Sequence, residues 1–188
     1  MKRQAGVLDL QGDVLEHAVA FESFLQTVIY VTTIQDLDKI THLIIPGGES
    51  TAIGRLLSYT GLDKEIQNRV GDGSLAVYGT CAGAILLCKE VVSKYPVKSL
   101  NLFPAKIERN NYGSQLDSFN ETLYFQHHIY NAVFIRAPKI IDYDKEKCRV
   151  FSLHNGYPVA LSFDRMMIST CHPELCRPAI FHKYFLSL

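Results

Sequence analysis

Leu75-Ala76-Val77-Tyr78-Gly79-Thr80-Cys81-Ala82-Gly83-Ala84-Ile85-Leu86-Leu87-Cys88 is the stretch on which the fold turns. Leu75 to Tyr78 reads as a short buried strand, the glycines at 79 and 83 bracket a tight turn, and Ala84 to Cys88 continue as a helix. Toward the N-terminus the same grammar repeats. Gly6 to Leu10 reads as a strand, Gln11-Gly12 as a turn, and a helix opens at Asp13. There Asp13 and Glu16 resemble a capping box, and Val14, Ala18, Phe21 and Leu25 recur at helical spacing. Val28 to Val31 is a further strand, and Leu43 to Ile45 another, ending abruptly in Pro46-Gly47-Gly48. Ser50 or Thr51 can cap the helix that follows, and a second helical period from Leu62 to Val70 stops at Gly71-Asp72-Gly73.

Alternating strands and helices imply an α/β fold: a parallel sheet with helices on both faces, whose functional sites lie at the carboxyl ends of the strands. The second half has a different texture. Arg149 to Leu153, Pro158 to Phe163 and Met166 to Thr170 read as strands, the first two joined through the hairpin signal Asn155-Gly156. A last helix from about Pro178 to Leu188 buries Ile180, Tyr184 and Phe185 or Leu186. No repeat, low-complexity tract or linker divides the chain, so residues 1–188 read as one domain.

Composition narrows the function classes. The 19 basic residues balance 19 acidic ones and the pI is about 7.0, which argues against nucleic acid or an anionic membrane as partner. With 47% hydrophobic and 20% charged residues, the chain can bury a core and is not disordered. Its five cysteines lack a C-x-x-C pair, which disfavours a disulfide framework and a tetra-thiolate metal site. Lys2 and Arg3 precede an apolar stretch broken by Asp9, Gln11 and Asp13, unlike a signal sequence, and no apolar run is long enough to span a bilayer. A soluble, cytoplasmic protein is expected.

Gly79-Thr80-Cys81-Ala82-Gly83 places a thiol where the G-x-S-x-G nucleophile elbow has its hydroxyl, between strand and helix as that motif requires. The sharp turn strains the nucleophile's backbone, and glycines two residues to either side remove Cβ atoms that would collide. Cys81 at a helix N-terminus gains thiolate character; the plainer reading is a buried structural cysteine. His172-Pro173-Glu174 supplies a base and an orienter. Pro173 biases His172 away from helical dihedrals, and in an extended segment the i and i+2 side chains leave on one side, so Glu174 can fix the imidazole tautomer. Alone, His-x-Glu is an ordinary surface pattern, and its value comes from pairing with the elbow. The order Cys81, His172, Glu174 suits nucleophile, base and orienter. Gly47 and Gly48, after a strand, can donate backbone N–H groups to an oxyanion together with Ala82, although a glycine turn with a helix cap explains them equally. No lysine follows these glycines, so a phosphate loop fits less well.

Other signals are weaker. Gly71 to Ala76 matches G-x-G-x-x-A but precedes its strand, without the dinucleotide context. His127-His128 has no acidic partner at ligand spacing and reads as an exposed loop pair, so no metal or cofactor is expected. Arg109 and Arg136 follow predicted strands and can clamp a carboxylate, with a solvated arginine as the default.

Together, Gly6-Val7-Leu8, Leu10 to Asp13, Pro46 to Thr51, Gly79 to Gly83, Arg109-Asn110 with Tyr112-Gly113-Ser114-Gln115, Ile135 to Pro138 and His172 to Leu175 resemble the successive motifs of PdxT-type glutaminases. These are the class I (triad) glutamine amidotransferase subunits of pyridoxal 5'-phosphate synthase. The elbow and His-Pro-Glu mark the wider class; Leu10 to Asp13, Arg109 to Gln115 and Ile135 to Pro138 make the resemblance specific. It implies a three-layer, flavodoxin-like amidotransferase fold with a mostly parallel central sheet. It also implies a Cys81-His172-Glu174 triad that hydrolyses L-glutamine through a thioester, without a cofactor. Gly48, Glu49, Ser50, Arg109, Ile135 and Arg136 would bind glutamine, and Gln11-Gly12 matches a stretch tied to the oxyanion hole. The partner implied is a PdxS-type synthase subunit in a large hetero-oligomer. Asp9, Ser114 and Cys171 depart from the usual pattern, which has a small or apolar residue, arginine and phenylalanine there. The rival readings are another class I amidotransferase or cysteine hydrolase, and a catalytically silent partner that only docks on the synthase.

Overall fold

The computed structural model describes residues 3–22, 24, 27–109 and 118–188. Its centre is a seven-stranded sheet built from β1 (Ala5–Leu8), β2 (Ile29–Val31), β3 (His42–Ile45), β4 (Ala76–Thr80), β10 (Arg149–His154), β11 (Tyr157–Phe163) and β12 (Met166–Ser169). The spatial order is β10-β11-β12-β4-β3-β1-β2. From β12 through β2 every pairing is parallel, whereas β10, β11 and β12 are joined antiparallel. The parallel part thus has the flavodoxin-like strand order, with its switch point between β1 and β3.

Period-two alternation divides these strands between two cores. Leu8, Leu43, Ile45, Val77 and Ile168 point to one face, where they meet Ile53 and Leu57 of α3 (Ser50–Thr60), Leu62 and Ile66 of α4 (Leu62–Gly71) and the apolar α5 (Ala82–Leu87). Val7, Ile44, Tyr78 and Met167 point to the other, against Val14 and Phe21 of α1 (Val14–Glu22) and Phe181 and Phe185 of α6 (Ile180–Phe185). The result is the expected three-layer α/β sandwich. Among the described residues no helix is long and apolar enough to cross a membrane.

Several details differ from the sequence reading. The cap of α3 is Glu49, whose carboxylate accepts from the N–H groups of Thr51 and Ala52; Ser50 and Thr51 are already helical. The last helix is shorter than expected and buries Phe181, His182 and Phe185, leaving Ile180 and Tyr184 half-buried. A one-turn helix, α2 (Ile34–Leu37), closes with a capping box of Thr33 and Asp36. Leu25 lies outside the described residues.

Most of the difference is in the middle of the chain. β5 (Cys88–Val92), β6 (Phe103–Glu108) and β9 (Lys139–Tyr143) form a small sheet, and β7 (Phe119–Phe125) with β8 (His128–Phe134) a hairpin. That hairpin turns through Gln126 in the left-handed region, φ 55°, with no glycine to announce it, and carries His127 and His128 exposed at its tip.

Candidate active site

Four loops meet at the carboxyl ends of neighbouring parallel strands: Leu10 to Asp13 after β1, Pro46 to Glu49 after β3, Cys81 after β4, and Cys171 to Glu174 after β12. At the head of α5, Cys81 has φ 47° and ψ −103°, a backbone rarely tolerated by a side chain. The flanking glycines make it possible. A Cβ at Gly79 would lie 2.5 Å from the Gly83 carbonyl, and a Cβ at Gly83 only 2.0 Å from the Ile45 oxygen. Cys81 is almost buried, with its Sγ 3.9 Å from the Ile135 carbonyl. Ile135 and Arg136 are both exposed, and Arg136 has φ 46°.

His172 is anchored by its N–H, which donates to the Val133 carbonyl at 2.8 Å. Pro173–Leu175 then forms a 3-10 turn in place of the extended segment expected from Pro173. The turn still delivers the buried Glu174 to the imidazole: Oε1 lies 2.6 Å from Nδ1 of His172. A second carboxylate, Asp13 Oδ2, lies 3.4 Å from the same nitrogen. Asp13, read from sequence as a helix cap, therefore faces the site.

Burial alone would disfavour an imidazolium, but Asp13, the Cys81 thiol and Glu174 together hold the His172 pKa well above its ordinary value. Burial raises the Glu174 pKa, and His172 opposes that rise. With Nδ1 committed to carboxylates, Nε2 is the free nitrogen; it is buried without a hydrogen-bond partner among the described residues. Asp13, His172 and Glu174 hold donor atoms within 4.8 Å of one another. Because both carboxylates address the single Nδ1 position, this grouping is organised around a shared proton more than around a cation.

The Leu10 to Asp13 and Pro46 to Glu49 loops interlock. Asp13 N–H donates to the Gly47 carbonyl at 3.1 Å, and Glu49 N–H to Gln11 Oε1 at 2.8 Å. Gly12 has φ 115°, and a Cβ there would lie 1.8 Å from the Gly47 oxygen. The His172 ring sits against Gly47, where an added Cβ would meet Cε1 at 2.8 Å. Peptide planarity points the Gly48 N–H opposite to the Gly47 carbonyl, away from Asp13. Ala82 opens α5 next to the thiol.

Beside these loops Arg109 donates to Glu49 Oε1 at 2.5 Å and to Thr51 Oγ1 at 3.0 Å. Burial pushes the Glu49 pKa up, but its backbone N–H bonds and Arg109 more than offset this and hold it below the ordinary value. Ser50 is buried at the start of α3 with its hydroxyl unpaired among the described residues. Asn110 and the Tyr112 to Gln115 motif, including Ser114, lie outside the described residues.

Sequence reasoning missed the layer beneath. His17 of α1, Thr80 of β4 and His182 of α6 are all fully buried and hydrogen-bonded to one another below Glu174. The signal available was a histidine on the apolar face of each helix, at positions where hydrophobic residues are the rule.

A thiol at a strained turn, a histidine held by carboxylates, and an Arg–Glu pair nearby suit acyl transfer from a zwitterionic substrate. Comparison with known proteins agrees. The SNO glutamine amidotransferase family matches residues 7–188. Pyridoxal 5'-phosphate synthase subunit PdxT of Thermosipho africanus is 40% identical over 185 residues, covering 97% of each chain. The protein of the same name from Thermus thermophilus is 38% identical over 189 residues, covering 100% of this chain and 98% of its own. A solved structure described as a glutamine amidotransferase superposes with a TM-score of 0.92 at 38% identity, covering 97% of each chain. The structure of PurLQS from Thermotoga maritima shares the fold at 15% identity, with a TM-score of 0.66 over 93% of this chain and 89% of that one.

Proposed function

The chain belongs to the SNO glutamine amidotransferase family, and from that premise we propose that it hydrolyses L-glutamine to L-glutamate and ammonia with Cys81 as nucleophile. The observation that carries this reading is the strained Cys81 turn beside a His172 whose Nδ1 is held by Glu174 at 2.6 Å.

In this mechanism the thiol proton already rests on His172 Nε2, as the raised His172 pKa favours, and the Cys81 sulfur attacks the side-chain amide carbon as thiolate. The oxyanion is received by backbone donors of Gly47, Gly48 and Ala82, with Gln11 and Gly12 fixing the loop that presents them. Imidazolium then protonates the leaving nitrogen, the C–N bond breaks, and ammonia departs from a thioester. Water, deprotonated by the same histidine, cleaves the thioester and frees glutamate. Arg109 and Arg136 serve the α-carboxylate and Glu49 the α-ammonium, with Gly48, Ser50 and Ile135 completing the pocket.

Ammonia released into bulk water is protonated and diluted. The PdxT relatives are named as subunits of pyridoxal 5'-phosphate synthase, which supports delivery of ammonia to a synthase subunit within a hetero-oligomer. The match over residues 7–188 supports one glutaminase domain, and five cysteines without a disulfide suit a cytoplasmic location. The test is ammonia release from glutamine with and without the synthase subunit. The rate rises on mixing if this reading holds, and an unchanged rate counts against the partner.

A further inference from the structure

Glu174 has a second oxygen that the triad leaves unexplained. Oε2 is buried without a hydrogen-bond partner among the described residues and lies 3.4 Å from Nε2 of His17, whose hydrogen bond, at 3.1 Å, is to the Thr80 hydroxyl. On the far side, His17 Nδ1 is 2.9 Å from Nε2 of His182, whose own Nδ1 is buried without a partner among the described residues.

The carboxylate decides the tautomer. An Nε2 lone pair facing Oε2 at 3.4 Å would be repelled, so His17 carries its proton on Nε2, where Thr80 accepts it and its positive end lies beside Oε2. Its Nδ1 is then an acceptor, which requires His182 to donate from Nε2 and leaves His182 Nδ1 as a bare lone pair. Burial holds both histidines below their ordinary pKa, His182 at about 3, so both are neutral at neutral pH. All donors in the chain His182 → His17 → Glu174 ← His172 converge on one carboxylate. What sets the pair apart from core-filling rings is direction: the chain ends with a ring nitrogen 3.4 Å from Glu174.

We infer that His17 is a positioning residue: its Nε2–H, anchored on Thr80, sets a positive dipole 3.4 Å from the otherwise unpartnered Oε2 of Glu174 and so orients the carboxylate plane that brings Oε1 to His172 Nδ1, while His182 fixes the His17 tautomer from behind. This rests on the glutaminase reading and deepens it. The groups that face Glu174 are His172 on its own segment, His17 from α1 and Asp13 from the loop before it, Thr80 and Tyr78 from β4, and Cys171 and Cys176 on either side. Of these, His17 is the one whose contact is to Oε2, whereas that of His172 is to Oε1.

The test compares His17→Leu with His17→Gln, whose amide nitrogen can stand where Nε2 stands, in the full chain mixed with the synthase subunit. His17→Leu should lower kcat about 10- to 100-fold with KM within about twofold, and shift the acid limb of the kcat profile upward as Glu174 takes a proton more readily. His17→Gln should recover most of the loss. In the free chain without glutamine, the low-field proton resonance of His172 Nδ1 should move in His17→Leu and return in His17→Gln. An unchanged resonance and a kcat within twofold of the parent overturn the inference. If His17→Leu fails to fold, His182→Phe decides instead: it keeps an aromatic ring against Phe21 but releases the His17 tautomer, and an unmoved His172 resonance there also overturns it. Because the resonance needs no turnover, an inert parent would refute the glutaminase reading while the role of His17 was still decided.

Discussion

The N–H of Cys81 donates to the carbonyl of Ser169 at 2.8 Å, three residues before His172. Candidate nucleophile and candidate base thus hang from adjacent parallel strands, β4 and β12, paired in register from Val77 with Met166 to Thr80 with Ser169. Residues 91 positions apart in sequence are brought together by sheet hydrogen bonds, and neither depends on a long loop for its placement.

The turn that carries Cys81 has no room to spare. Gly83→Ala would drive a methyl group to within 2.0 Å of the Ile45 oxygen, a backbone atom that cannot swing aside. We expect a loss of about 3 kcal/mol or more in unfolding free energy, read by urea denaturation of the soluble fraction. Parental stability in this variant would show that the turn is looser than described.

The Glu49–Arg109 pair places opposite charges side by side, matching the two charges at the α-carbon of an amino acid. Arg109→Gln should raise KM for glutamine about 10- to 100-fold with a smaller change in kcat, since the lost interaction is made in both ground and transition states. Steady-state kinetics that leave KM unaltered would remove Arg109 from the binding site.

Acid should destabilise the fold through His17 and His182. Their folded pKa values lie below the ordinary 6.5, that of His182 at about 3, so the unfolded chain binds the extra protons. The stability they contribute is full above pH 6.5 and falls as pH drops below it, by about 1.4 kcal/mol per pH unit per site. His172 has the opposite sign: its raised pKa gives stability that is fully present below 6.5 and is lost only as pH climbs through the folded value. Urea midpoints measured from pH 7.5 to 5 should therefore decline below about 6.5, and a flat profile would mean that the two buried rings are not neutral.

Legibility from sequence follows periodicity and glycine. β1, β3, β4 and the helices α3 and α4 announce themselves through apolar runs ended by Gly or Pro, and these elements carry the elbow and the Pro46 loop. The β10–β11 hairpin is equally plain from Asn155-Gly156, whose residues both take positive φ. The β7–β8 hairpin is not, because Gln126 adopts that conformation without belonging to the residue types that favour it. The cap of α3 escapes a preference for Ser or Thr because Glu49 is long enough to fold back on two N–H groups. Asp13, His17 and His182 are hidden for a different reason. Their roles arise from contacts across 159, 157 and 165 positions of chain, which local pattern does not encode.

Mass spectrometry after exposure to a glutamine-mimicking electrophile, with and without the synthase subunit, tests the central claim most directly. The account predicts one adduct per chain, on Cys81, formed faster in the complex, prevented by excess glutamine and absent from Cys81→Ala, which also releases no ammonia. Labelling confined to Cys88, Cys148, Cys171 or Cys176, or ammonia release by Cys81→Ala at the parental rate, would contradict it.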